Sequence, residues 1–137
     1  MNPADFSWIV GKPIKVSFSE PSTWFFAFGE SLGISVECPW RLLENGRIVI
    51  SSDDHRQQFG LPAIVDSVER ASSLLDYKAI QRVEVRQGTV DLFIDFDGGI
   101  RLEIIPISSG YESWQISTPT GKHIVAQGGG QLFAWQQ

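Results

Sequence analysis

Between Thr89 and Ile105 the chain reads TVDLFIDFDGGIRLEII, with apolar and polar residues alternating on both sides of Asp97-Gly98-Gly99. A period of two suits a strand with one buried face and does not draw a helical stripe. Asp-Gly between two such runs is a strong short-range signal for a hairpin. This stretch therefore commits the second half of the chain to antiparallel sheet.

The same signal recurs upstream. IKVSF at 14–18 and ISVEC at 34–38 alternate, TWFFAF at 23–28 is aromatic-rich, and WRLLENGRIVIS carries Asn45-Gly46 between two apolar runs. Glu30 and Ser31, with Leu32 and Gly33, are read as a turn. Downstream, IQRVEVR at 80–86 alternates, Gln87-Gly88 turns the chain, and YESWQIS, HIVAQ and QLFAW follow, separated by TPTGK and GGG. Each half is thus expected to be a meander of short strands, about nine or ten in all.

Residues 61–75, LPAIVDSVERASSLL, break the pattern. Apolar side chains at Leu61, Ile64, Val65, Val68, Ala71, Leu74 and Leu75 follow helical spacing. Pro62 suits a first turn, and Asp66 before Arg70 agrees with the helix dipole. The expected fold class is α+β: two antiparallel β-meanders joined by one amphipathic helix over about 61–75, packed on a bent sheet. With 137 residues the chain fits one domain.

The meanders resemble each other. Phe25, Phe28, Gly33, Ile34, Val36, Glu37, Pro39 and Trp40 run in the same order as Phe93, Phe96, Gly99, Ile100, Leu102, Glu103, Pro106 and Trp114. An internal pseudo-repeat is read over 12–51 and 80–127. The plainer alternative is that any two hairpins share such a pattern.

Pleating assigns the faces. Val90, Leu92, Ile94, Phe96, Ile100, Leu102 and Ile104 point inward, toward the helix face of Ile64, Val68, Ala71 and Leu75. Asp91, Phe93, Asp95, Asp97, Arg101 and Glu103 point outward, an expected acidic patch with an exposed aromatic.

Charge narrows the partners. The net charge is −5 and the pI about 4.9, which disfavours nucleic acid and anionic membranes, both of which need a basic patch. No window reaches the length of an apolar membrane span. The N-terminal MNPADFSWIVGKP lacks the apolar run of a secretory leader, so a cytoplasmic location is expected.

Catalytic signatures are thin. Cys38 is the single cysteine, so it forms no intramolecular disulfide or thiolate cluster. Its parity with Ile34 and Val36 reads as a buried structural thiol. SSDDH at 51–55 sets two carboxylates beside an imidazole, but no second cluster stands at ligand spacing, and a solvated loop explains it. DFDGG resembles part of a calcium loop without the later acidic ligands. GGG at 128–130 lacks the Walker pattern. Neither catalytic residues, nor a metal, nor a cofactor is expected.

The C-terminal third resembles a bacterial family of small proteins of unknown function. In that family a strand with F-x-D-G leads to a YE-x-W strand and a GG turn; here the counterparts are Phe96 to Gly98, one residue shorter than the pattern, Tyr111-Glu112 with Trp114, and Gly128 to Gly130. The resemblance implies no activity. In size, acidity and lack of catalytic signatures the chain also resembles immunity proteins, dedicated inhibitors of toxins from neighbouring cells.

The expectation is therefore a non-catalytic protein-binding module, an immunity protein meeting a basic, nuclease-type toxin. Glu84, Asp91, Asp95, Asp97, Glu103 and Glu112 would supply charge that steers and orients the partner. Phe93 or Trp114 would supply a desolvated anchor. The alternatives are an assembly domain that forms a homodimer through a sheet edge near Trp135, and a small ligand-binding or carboxylate-using enzyme that employs His55.

Overall fold

A computed structural model describes residues 6–29 and 32–136. Eleven strands form two antiparallel sheets, with one α-helix. The first half supplies β1 (Lys15–Ser19), β2 (Thr23–Ala27), β3 (Gly33–Val36), β4 (Trp40–Glu44) and β5 (Arg47–Ser51). After α1 (Ser67–Leu75) come β6 (Ile80–Val85), β7 (Leu92–Phe96), β8 (Ile100–Ile104), β9 (Trp114–Ser117), β10 (Lys122–Gln127) and β11 (Gln131–Gln136). The β-rich α+β class read from the alternating segments is the class observed.

The halves are not two separate layers. One sheet runs β1-β2-β3-β9-β10-β11 and the other β5-β4-β8-β7-β6. Each half gives three strands to one sheet and then crosses to the other, where the first half adds the hairpin β4-β5 and the second the three strands β9-β10-β11. Pairing registers correspond as well. Val36 lies opposite Trp114 and Ile34 opposite Ile116 in one sheet, while Ile104 lies opposite Trp40 and Leu102 opposite Leu42 in the other. On this correspondence Phe25 matches Phe93 and Phe28 matches Phe96, as the sequence pattern has it. Ile34 and Val36 match Leu102 and Ile104, however, two residues along from the partners that the pattern suggested. A slip by two keeps side chains on the same face, so sequence alternation alone cannot fix it.

The hairpin at Asn45-Gly46 takes the positive φ values of 51° and 82° that its sequence requires. The turn read at Glu30 and Ser31 lies outside the described residues; beside it, Phe28 N donates to Leu32 O at 2.8 Å.

The inward faces interlock as one core. Trp24, Phe26, Ile34, Val36, Trp114 and Ile116 from one sheet pack with Trp40, Leu42, Leu92, Ile94, Leu102 and Ile104 from the other. Trp24 and Phe26 meet Trp40 edge-on at ring separations of 5.0 and 5.4 Å, the arrangement that ring quadrupoles favour.

The helix is shorter than its periodicity suggests and sits elsewhere. It begins at Ser67 because the Asp66 side chain accepts from Glu69 N at 3.1 Å, an N-cap. Residues 61–66 stay irregular: Val65 N donates to Gln57 O and Arg56 N to Val65 O, so that segment pairs with the preceding loop. Leu61 and Ile64, expected on the buried face, are exposed. Ser67, Ala71 and Leu75 are buried. The helix packs against β1 and β5, one edge strand from each sheet, and so closes a side of the sandwich. Each sheet already covers the inner face of the other, which leaves the helix an edge to bury.

Candidate functional site

On the outward face of β4, β6, β7 and β8 the carboxylates Glu84, Asp95 and Glu103 are met by arginines, which corrects the expected free acidic patch. Arg41 Nε donates to Glu103 Oε1 at 2.7 Å. Arg101 Nε lies 3.4 Å from Glu103 Oε2 and 3.7 Å from Asp95 Oδ1, and its guanidinium stands 4.3 Å from the centroid of the Phe93 ring. Arg82 pairs with Glu84 at 3.1 Å. Three arginines thus offset three carboxylates. The expectation counted acids along one hairpin and left out the arginines that β4 and β6 bring beside it.

The other proposed contact residues divide. Trp114 is only 2% exposed and donates its indole N–H to Val90 O at 2.9 Å, so it is a core residue and not a surface anchor. Glu103 is 8% exposed. Asp97 accepts from Ala79 N at 3.1 Å and from Gln81, holding the β7–β8 turn. Asp91 lies in the segment leading into β7. Glu112 is exposed, and it leads to a different site.

That site lies where the chain crosses between sheets. The crossovers, 37–39 and 105–113, are hydrogen-bonded to each other: Glu37 N donates to Ser113 O at 2.9 Å, and Ile105 N to Pro39 O at 2.8 Å. The two bonds are equivalent under the correspondence of the halves. Beside them open two adjoining recesses that share Ser22, Glu37, Cys38 and Pro39.

The larger recess, about 550 Å³, is completed by Ile107, Ser108, Tyr111, Glu112 and Ser113. Ser108 Oγ accepts from Gly110 N at 3.0 Å and Tyr111 N at 2.9 Å. This local turn fixes the backbone and leaves Ile107 and Tyr111, 78% and 82% exposed, as an apolar rim. The smaller recess, about 370 Å³, is completed by Phe18, Pro21, Trp24, Ser52, Asp53, His55 and Arg56.

The SSDDH motif lies here, and its residues are mostly occupied by the fold. Asp54 Oδ2 accepts from Ser51 N at 3.0 Å. His55 Nδ1 accepts from Ser67 N at 3.0 Å, which places the ring proton on Nε2. The imidazole packs on Phe18 and Trp24 at 5.1 and 5.2 Å. Arg56 pairs with Glu20. Among the described residues no group of three or more His, Cys, Asp or Glu side chains could hold a metal.

Cys38 sits at the junction of both recesses, and burial pushes its thiol from 9.0 up to about 12. It is protonated at neutral pH and a poor nucleophile. Glu37, Asp53 and Glu112 form no ion pair among the described residues. The recesses therefore combine uncompensated negative charge with an aromatic and aliphatic rim. Sequence reading missed Glu37 and Tyr111. Glu37 was read as part of a strand that ends one residue earlier, at Val36, and only Pro39 hinted at a crossover.

Among the described residues no helix is long and apolar enough to cross a membrane. The chain belongs to a family of unknown function, DUF6188, whose model matches residues 7–136. No curated protein and no solved structure matches the chain.

Proposed function

We propose that this DUF6188 member is a non-catalytic protein-binding module that receives a basic segment of a partner at the crossover end of the sandwich. One observation carries the reading: Glu37 and Glu112 line a recess of about 550 Å³ without a cation beside them, under the exposed Tyr111 and Ile107. An unpaired carboxylate pair steers and orients a cationic group, while a neighbouring aromatic supplies contact area at low entropic cost. Chemistry has less support. The thiol at the junction stays protonated, and the imidazole uses its free lone pair to cap the helix.

In its sharpest form the partner is a basic toxin and the protein its immunity factor. The net charge of −5 suits such a partner. Proposed contacts are Glu37, Asp53, Tyr111 and Glu112. The test is co-expression with the product of the adjacent gene, followed by native mass spectrometry and a growth assay. A one-to-one complex that relieves the toxicity of that product, and that Glu112→Lys weakens, supports the reading. A complex indifferent to Glu37→Lys and Glu112→Lys moves the site away from the crossovers. A bound small molecule in its place favours a ligand-binding protein.

A further inference from the structure

Two sheets have four edges, and three of them are guarded. β1 carries Lys15 and is covered by α1. β5 begins at Arg47, pairs with β4 through a register shift at Leu42/Leu43, and also lies against α1. β6 carries Arg82 and Glu84, has a register shift between Ile80 and Arg82, and is met at Ile80 by Gly11 and Lys12. Charge, bulges and covering segments are the usual protections of an edge strand.

Among the described residues β11 has none of them. Its sequence, QLFAWQ, holds no charged residue and no proline. It pairs with β10 in unbroken register from Gln131–Gln127 to Gln136–Lys122, and among the described residues no strand lies on its other side. On its outward face Phe133 is 51% exposed and Trp135 37%. These rings lie 5.8 Å apart, and His123 stacks on Trp135 at 5.1 Å. Farther in, the buried Val125 and the half-buried Gln115 and Ser35 share this face by register, none of them charged. In the first half, β1 to β5 correspond to β6 to β10, so β11 is the strand without a counterpart there.

We infer that β11 is a self-association edge, pairing antiparallel with β11 of a second copy about a two-fold axis at Ala134. Antiparallel partners must face the same side. Centred on Ala134, Phe133 falls opposite Trp135 of the partner subunit on the outward face, and Leu132 opposite the partner's Gln136 on the inward face. The aromatic pair is made twice by symmetry, and the two six-stranded sheets join into one. Self-complementarity selects a second copy, because one register centred on Ala134 pairs Phe133 with Trp135 in both directions and needs no other sequence. Each copy carries −5, so contact between identical surfaces tends to oppose carboxylates, yet residues 131–136 bring none. An acidic or basic partner would gain nothing from this edge. A contact of one strand and its flanking rings is small, in the class of weak, transient interfaces below ~1,200 Å², so the association is sought in the micromolar range.

Sedimentation equilibrium of the full chain across the micromolar range should show a monomer–dimer equilibrium. Trp135→Lys should raise the dissociation constant at least about tenfold, by placing charge on the edge, with an unchanged melting temperature. Ala134→Cys should cross-link to a dimer on oxidation, since opposed Cβ atoms lie roughly 5 Å apart. Cys38 is buried and does not compete. A wild-type protein that stays monomeric throughout overturns the inference. So does a dimer that tolerates Trp135→Lys and leaves Ala134→Cys uncross-linked, or a strand from a different protein captured on this edge of an otherwise monomeric chain.

Discussion

Arg41 Nε, on β4, donates to Glu103 Oε1, on β8, at 2.7 Å, which ties residues 62 positions apart across the centre of a sheet. Glu103 is the more buried partner, and its second oxygen faces Arg101. Arg101 Nε is buried and makes no directed hydrogen bond, although carboxylates stand 3.4 and 3.7 Å away. Its attraction to them is electrostatic.

Glu103→Ala should therefore destabilise by about 1–3 kcal/mol, the cost of leaving buried charge without a partner. Glu103→Gln should cost less, because an acceptor for Arg41 remains. Asp95→Lys, at a half-exposed position, should cost about 1 kcal/mol or less and leave partner binding intact. Urea unfolding gives the stabilities. An Asp95→Lys protein that folds normally but no longer binds its partner would return the site to this face.

Trp40 and Trp114 occupy equivalent positions in the two halves and are both buried. Only Trp114 finds an acceptor, Val90 O at 2.9 Å; Trp40 Nε1 has none. Substitution by Phe removes similar volume at each site. Trp114→Phe also leaves a buried carbonyl unpaired, which should make it the costlier change by about 1–3 kcal/mol. Equal losses would mean that the indole hydrogen bond adds nothing to stability.

Glu37→Lys and Glu112→Lys test the crossover site. Neither carboxylate has an ion-pair partner among the described residues, and both side chains reach solvent. Stability should change by roughly 0.5 kcal/mol or less. Partner affinity should fall by at least about tenfold for the pair, mostly through a slower association rate that depends on salt. Surface plasmon resonance at two ionic strengths separates the rates. A loss confined to dissociation would point to packing rather than steering.

The strands were legible because alternation is a local signal: Leu92, Ile94 and Phe96 declare the buried face of β7 without outside help. Sheet assignment was not legible, because it depends on where the chain crosses. Glu37 and Cys38 read as the tail of a strand over 34–38, although with Pro39 they carry the chain to the other layer. The helix start failed for a related reason. Leu61 and Ile64 fit the helical period, but an N-capping side chain at Asp66 and backbone pairing of Val65 overrode it. Charges misled most. Glu103 looks unpaired along its own hairpin, and only the register of β8 with β4 brings Arg41 beside it. A site built from two crossovers far apart in sequence leaves no contiguous motif to read.

Cys38 offers a pH test of the same junction. Its thiol is pushed up to about 12 from 9.0, chiefly by burial, with the nearby Asp91 carboxylate adding to the rise. The folded state therefore keeps a proton that the unfolded state has lost between these values. A raised folded pKa contributes stability that is complete below the unfolded value and declines as pH rises toward the folded one. Unfolding free energy should fall above pH 9, with a Cys38 contribution approaching about 1.4 kcal/mol per pH unit. The comparison is with Cys38→Ala, which removes the thiol and leaves every other ionisable group in place. The variant should lose stability less steeply over that window, and its curve should converge with that of the parent at high pH. Parallel curves would mean that the junction opens to water in the folded state, and the recesses beside Glu37 would then be deeper than their resting shape.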